Sequence, residues 1–293
     1  MEREVSTGMS ESPQRRAWRV TEPIHAMIYF APEAPARYAE LGVGPQDGYF
    51  ASRAAAFGEC GPGLVTATFY NFNPALVVRA LPAVWASTTP AARAEARLAA
   101  VDAALTRGLG AATLASPEVA EAAALARAAA EAATAWPQGR PLFAAQAELP
   151  WPDEPHLVLW HAQTLLREFR GDGHVAALVA AGVGGIEALV LHVASGEADE
   201  RFLRVSRGWR RDAWAGAAEG LRARGLLDAE GGLTDGGRTL RAGLEATTDR
   251  LAGPAYDAIG AEACVRLAEL TRPLSRTLVK AGMLNPRLPE GES

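Results

Sequence analysis

Cysteine is nearly absent from this chain. Two in 293 residues, Cys60 and Cys264, are too few for a disulfide framework or a cysteine-ligated zinc site, so a reducing, cytoplasmic setting is expected. Lysine is scarcer still: Lys280 is the single one, and alanine runs are frequent, a pattern that reflects GC-rich coding more than mechanism. Excess positive charge is missing too. Thirty-four acidic residues against 29 basic give a net charge of −5, which removes the general attraction to phosphate backbones that most nucleic-acid binders exploit. No apolar run reaches the ~18 residues of a spanning helix. The N-terminal MEREVSTGMSESPQRRAW lacks the apolar core of a signal peptide, so no membrane partner is expected. Catalytic signatures are lacking as well: the sequence holds no GxSxG, Walker loop, GxGxxG after a strand, CxxC or HExxH.

What is present is a chain 49% hydrophobic and 22% charged, long enough for two modest domains. The pattern predicts a disordered N-terminus over 1–20, a first unit over 21–135, a proline-rich connection over 136–153, a second unit over 154–282 and a tail over 283–293. Pro137, Pro141, Pro150 and Pro152, with Pro155 just beyond, forbid one continuous helix through the connection. Most of the rest has helical periodicity. Ala94, Leu98, Val101 and Leu105 share one face of a helix over 90–108. Ser116-Pro117-Glu118 opens another helix, Thr234 caps a third beginning at Asp235, and Asn73-Pro74 caps and begins a fourth.

The two units also echo each other. Glu22-Pro23-Ile24-His25 is answered by Glu154-Pro155-His156, and Asp47-Gly48-Tyr49-Phe50-Ala51 by Asp172-Gly173-His174-Val175-Ala176. Gly61 falls opposite Gly185, Phe69 opposite Val193 and Trp85 opposite Trp209. The expected fold is therefore mainly α, with two tandem winged-helix-like repeats forming an intramolecular pseudo-dimer with very short β-wings.

The second copy is the clearer one. A helix through Phe202 and Val205 breaks at Arg207-Gly208-Trp209. A second helix follows from Arg211 with Trp214, Ala218 and Leu221 on one face, then Gly225 in the left-handed region, then a stubby wing. The stretch GLRARGLLDAEGGLTDGGRTLRAGLE, with its LTxxG step at Leu233 to Gly237, resembles the recognition helix, wing and following helix of the MarR family of winged-helix regulators over roughly 55 residues. The whole chain, including LREFRGDGH and ATFYNFNP, resembles a group of actinobacterial helix-turn-helix proteins of the same length. The MarR resemblance implies small ligands binding between the DNA-reading and dimerising parts. It also implies DNA and a second copy of the chain as candidate partners. Arg207, Arg210 and Arg211 are then the DNA-contacting candidates. Asp228 and Glu230 in the wing, and the bulky Trp209 and Trp214, argue for a fold kept for another use.

Two clusters point to a small-molecule partner. Arg167, Arg170, Asp172 and His174 gather around two glycines, where a bend brings guanidiniums, an acid and an imidazole together. The plainer alternative is an Arg170–Asp172 ion pair with His174 capping the next helix. Phe69, Tyr70 and Asn71 belong to the densest aromatic patch, which either lines a pocket or fills a core. Trp160 and His161, on a helix just upstream of the cluster, complete the candidate set. His156 and His161, five residues apart, lie ~140° apart on a helix and do not form a shared metal site. No cofactor is identified; the rival reading is an enzyme using His174 as acid or base, or a haem protein with His25 or His161 as ligand.

Overall fold

The computed structural model describes residues 11–285, and it is helical from end to end. The first half holds α1 (Pro13–Ala26), α2 (Glu33–Glu40), α3 (Pro45–Ala54), α4 (Pro62–Thr68), α5 (Pro74–Ala80), α6 (Pro90–Leu109), the single turn α7 (Ala111–Leu114), α8 (Pro117–Ala133) and α9 (Pro141–Ala147). The second holds α10 (Pro155–Ala180), α11 (Gly185–Ala194), α12 (Glu200–Ser206), α13 (Arg211–Ala223), α14 (Asp235–Asp257) and α15 (Gly260–Lys280). Local chemistry sets many of these starts. Asn73, Thr89, Ser116, Asp199 and Thr234 each accept a backbone N–H from the first turn of the helix they precede, and proline occupies the first turn after three of them.

α10 is the spine. Its apolar residues surround the axis instead of forming a stripe, so it is buried on all sides, packed by α1, α6, α8, α9 and α14. α8 meets it through small residues, Ala122, Ala126, Ala129 and Ala133, all fully buried, which allow close helix approach. α1 lies along α15. Three cores result. The central bundle draws on both halves, from Ala17 to Met283. A second core gathers α3 to α5 around Phe50, Phe69 and Phe72, and a third gathers α11 to α14 around Leu191, Trp214 and Leu221.

Several expectations change in this light. The N-terminal disorder expected over 1–20 gives way at Pro13, because Ala17, Val20, Thr21 and Ile24 form a buried face capped by Ser12; residues 1–10 of that segment lie outside the described residues. Met283, expected in a loose tail, is buried against Gly108, while residues 286–293 lie outside the described residues. The 136–153 connection is itself core: Leu142 joins the second core and Phe143 the first. The wing is a single Leu227–Leu233 antiparallel bridge, and the described residues hold no named strand. Gly225 does close α13 in the left-handed region, with φ 69°. Among the described residues no single helix is long and apolar enough to cross a membrane.

Candidate functional site

α10 passes through Gly171 and Gly173 without the bend the sequence suggested. Gly173 serves packing instead: a Cβ there meets Arg140 Nη1 at 3.0 Å and Leu251 Cβ at 3.2 Å. The unbroken helix presents Arg167, Glu168, Arg170, Asp172 and His174 to one cavity of 480 Å³. Across it stand Phe69, Tyr70, Asn71 and Phe72 from the turn between α4 and α5, with Trp18 and Glu22 from α1 and Arg241, Glu245 and Thr248 from α14. The mixed cluster of one half and the aromatic patch of the other thus share a cavity. Trp160 and His161 do not; they sit in the central bundle. At 1.5 Å per residue, Trp160 lies roughly 20 Å along α10 from His174, a separation hidden when the stretch is read as bent.

Charge in the cavity is largely paired. Arg53, on α3, lies with its Nη2 2.8 Å from Glu168 Oε1, donates Nη1 to the Tyr49 hydroxyl at 2.9 Å and stacks over Phe69 at 4.4 Å. Burial is the largest single influence on Arg53 and lowers its pKa, but Glu168 together with the Tyr29 and Tyr49 hydroxyls outweighs it and holds the group well above its ordinary value. Arg170 turns away from Asp172, bonding Asp249 at 2.6 Å and Glu245 at 3.1 Å and stacking on Trp18 at 4.1 Å; the expected Arg170–Asp172 pair does not form. Arg167 pairs with Glu22. His174, within α10 and not capping a helix, bonds Thr248 Oγ1 at 2.9 Å through Nδ1, and burial lowers its pKa. Arg53 escaped the sequence reading, although its place beside Phe50, Ala51 and Ala54 on a buried face was a signal.

Asp172 accepts the Phe143 backbone N–H at 2.9 Å, and burial pushes its carboxyl from 3.8 to about 7. The folded protein therefore keeps a proton that the unfolded chain releases, so this group's contribution to stability falls as pH rises from about 4 to about 7. The buried histidines contribute with the opposite sign. Asp172→Asn, which keeps the acceptor for Phe143, is expected to make stability rise more steeply with pH over that window than in the parent. Parallel slopes in urea titrations of the two proteins at several pH values would contradict the assignment.

His25, the first haem-ligand candidate, has both ring nitrogens engaged, Nε2 with the Tyr29 hydroxyl at 3.0 Å and Nδ1 with Thr164 Oγ1 at 3.1 Å, and it stacks on Trp160. His161 lies edge-on to Trp151 at 4.8 Å, and burial with nearby Arg97 and Arg127 pushes it down to about 4. Neither lines the cavity, so both lose their basis as ligands to a group held there. His156 pairs with Asp102 at 2.7 Å. Among the described residues no His, Cys, Asp and Glu cluster suits a metal ion.

The second-half helix-turn-helix forms as expected, with Gly208 at φ 71° between α12 and α13. Arg210 and Arg211 are exposed at the start of α13, Arg210 lying 3.4 Å from Asp212. Arg207 is not on that face. Its guanidinium stacks over Phe72 at 4.5 Å and its Nε is buried, because the turn folds back onto the first half. Trp214 is buried and Asp228 and Glu230 are exposed, the arrangement that weakens direct base reading.

The turn that lines the cavity also holds the helix-turn-helix. The Tyr70 hydroxyl donates to Val183 O at 2.8 Å, Trp209 Nε1 to Asn71 O at 2.9 Å, Asn73 N–H to Arg207 O at 2.9 Å and Asn73 Nδ2 to Gly208 O at 2.8 Å. No curated protein and no solved structure matches the chain. The model of a helix-turn-helix protein family does match it, over residues 14–285. With nearly its whole length covered, the chain belongs to a helix-turn-helix family.

Proposed function

We propose that the protein is a transcriptional regulator of MarR-like design, in which a small molecule in the 480 Å³ cavity adjusts the helix-turn-helix that α12 and α13 form. One observation carries this reading: residues 69–72 line the cavity, and with Asn73 next in the same turn they make four hydrogen bonds that hold the turn before α11 and the turn after α12. A ligand that displaces Tyr70 or Asn71 acts directly on the turn that positions α13. The protein–ligand contact and the DNA contact are then coupled through one bistable segment. The residues suited to the ligand are Phe69, Tyr70, Asn71, Arg167, Arg170, Asp172 and His174.

The ancestral duplication is part of the proposal. α4, α5, α6 and α8 run in the same order as α11, α12, α13 and α14, and Gly61, Asn73 and Ser116 stand before the first-half helices as Gly184, Asp199 and Thr234 stand before their counterparts. α6 carries buried Arg93 and Arg97 where α13 is exposed, so each chain offers one reading helix. A second copy of the chain supplies the other half-site.

Gel shifts with genomic fragments at graded salt test the DNA contact. Binding is expected to weaken with salt, and the double variant Arg210→Ala/Arg211→Ala to lose at least about tenfold in affinity with a shallower salt dependence. Binding indifferent to salt and to these changes overturns it. The acidic wing favours a second reading, a ligand-binding derivative without DNA affinity, and absence of any shift at low salt selects that one.

A further inference from the structure

From Gly61 to Ala91, over α4, α5 and the turns leading into α6, fourteen residues are exposed and one of them, Arg79, is charged. In a chain that is 22% charged this segment is unusual, because Lys, Arg, Asp and Glu ordinarily gather at the surface. Arg79 itself turns toward α3, bonding Gln46 and lying 3.6 Å from Asp47. What remains is largely apolar. Leu64 is 43% and Val78 59% exposed on the adjoining helices α4 and α5, and Ala67, Ala75, Pro82 and Ala83 are exposed in the same segment. Single apolar side chains on a surface are ordinary, whereas a stretch of them without charge marks a surface that another protein covers. α13 gives the contrast. In the register that sets Trp85 opposite Trp209, Arg210 and Arg211 fall opposite Ala86 and Ser87, both exposed. On the duplication proposed above, the first copy carries no arginine at these positions of a phosphate-reading face and leaves them in solvent.

Three features select a second copy of this chain as the occupant. A twofold contact lays a patch on itself, so any free charge in it meets its own like, and this face has none to meet. The central bundle, where the two halves join, is closed within one chain, so a second copy must use another surface. α5 also abuts the helix-turn-helix: a Cβ on Gly208 meets Leu76 Cδ1 at 2.5 Å, and Asn73 bonds both Arg207 and Gly208. Fourteen exposed residues are about half of the roughly 20–30 a side in a standard interface, and the uncharged half is the part that forms its core.

We propose that the protein forms a homodimer through the α4–α5 face, with Leu64 and Val78 of both copies buried about the twofold axis. The contact itself requires no DNA. Its use, holding two α13 helices to two half-sites, rests on the regulatory reading.

Sedimentation equilibrium of the full chain, without DNA and at micromolar concentration, is expected to give a dimer that added sodium chloride does not dissociate, since no ion pair holds it. Leu64→Glu/Val78→Glu sets carboxylates against their own copies and is expected to weaken dimerisation at least a hundredfold. Ala75→Arg, which leaves the large side chains in place, is expected to weaken it at least tenfold. Urea midpoints report whether each variant is folded, and Ala75→Arg keeps the test decisive where the double variant is not. Val279→Glu, on the exposed side of α15, is the control and is expected to dimerise as the parent does. A monomeric parent, a dimer that salt dissociates, or one that survives Ala75→Arg or yields equally to Val279→Glu overturns the proposal. A monomer that shifts DNA overturns the interface alone, and a dimer that shifts none overturns the regulatory reading alone.

Discussion

Glu168→Ala is expected to destabilise the protein by about 3–5 kcal/mol, the range for removing one partner of a buried ion pair. Its side chain is 6% exposed and that of Arg53 10%, so water cannot take over the role of the lost carboxylate. The guanidinium left behind has the Tyr49 hydroxyl and the face of Phe69, neither of which carries compensating charge. It is also fixed where α3 meets α10, so it cannot swing out to solvent without disturbing Phe50 and Phe69 in the second core. Replacing both partners, Arg53→Met with Glu168→Met, removes the stranded charge and is expected to recover most of the loss. Urea unfolding of Arg53→Met, Glu168→Met and the double closes a mutant cycle. A loss below about 1 kcal/mol for Glu168→Ala, the magnitude of an exposed pair, would mean that the pair is hydrated in solution.

Gly185→Ala is the second large effect, and its origin is steric. A Cβ at this position lies 2.0 Å from Tyr70 O, 2.9 Å from Tyr70 C and 3.1 Å from Asn71 Cα. These are backbone atoms of the turn that holds the helix-turn-helix, so no side-chain rotation relieves the clash. The 69–73 turn must lift, and the bonds from Tyr70 to Val183 and from Trp209 to Asn71 go with it. A loss of about 3 kcal/mol is expected, at the upper end for overpacking. Hydrogen exchange gives an independent readout: the Asn73 amide, which donates to Arg207 O, should lose protection more than amides of α8. The contrast is Gly216→Ala on exposed α13, where a Cβ meets nothing within 4 Å and alanine's helix preference is expected to add up to about 1 kcal/mol. If Gly185→Ala behaves like Gly216→Ala, the two halves are not in contact at this turn.

Much of the local structure was legible in the residues. Caps at Asn73, Ser116 and Thr234, the proline starts, the break at Gly208 and the left-handed Gly225 are each encoded within a few positions, because backbone dihedrals and first-turn hydrogen bonds depend on near neighbours. The chemistry of the cavity was also visible, as two unusual clusters more than 90 positions apart, around Phe69 and around Arg170.

Which side each residue faces was not legible. Arg207 read as a DNA contact because its neighbours are arginines, yet the docking of the first half onto the turn buries its Nε. Trp160 and His161 read as pocket residues because they precede the cluster in sequence, whereas continuous α10 carries them along its axis away from the cavity and into the bundle. Glycine at 171 and 173 suggested a bend, and the close approach of Arg140 and Leu251 gives Gly173 a packing role instead. Sequence alone determined where many of the helices begin and where α12 and α13 part, since those choices are settled by short-range sterics and hydrogen bonding. Only the tertiary structure decided that Phe69 and Asp172 share one cavity and that Arg53 rather than Arg170 holds a buried carboxylate. Those pairings follow from how the helices pack, and packing is fixed by the summed burial of surfaces distant in the chain.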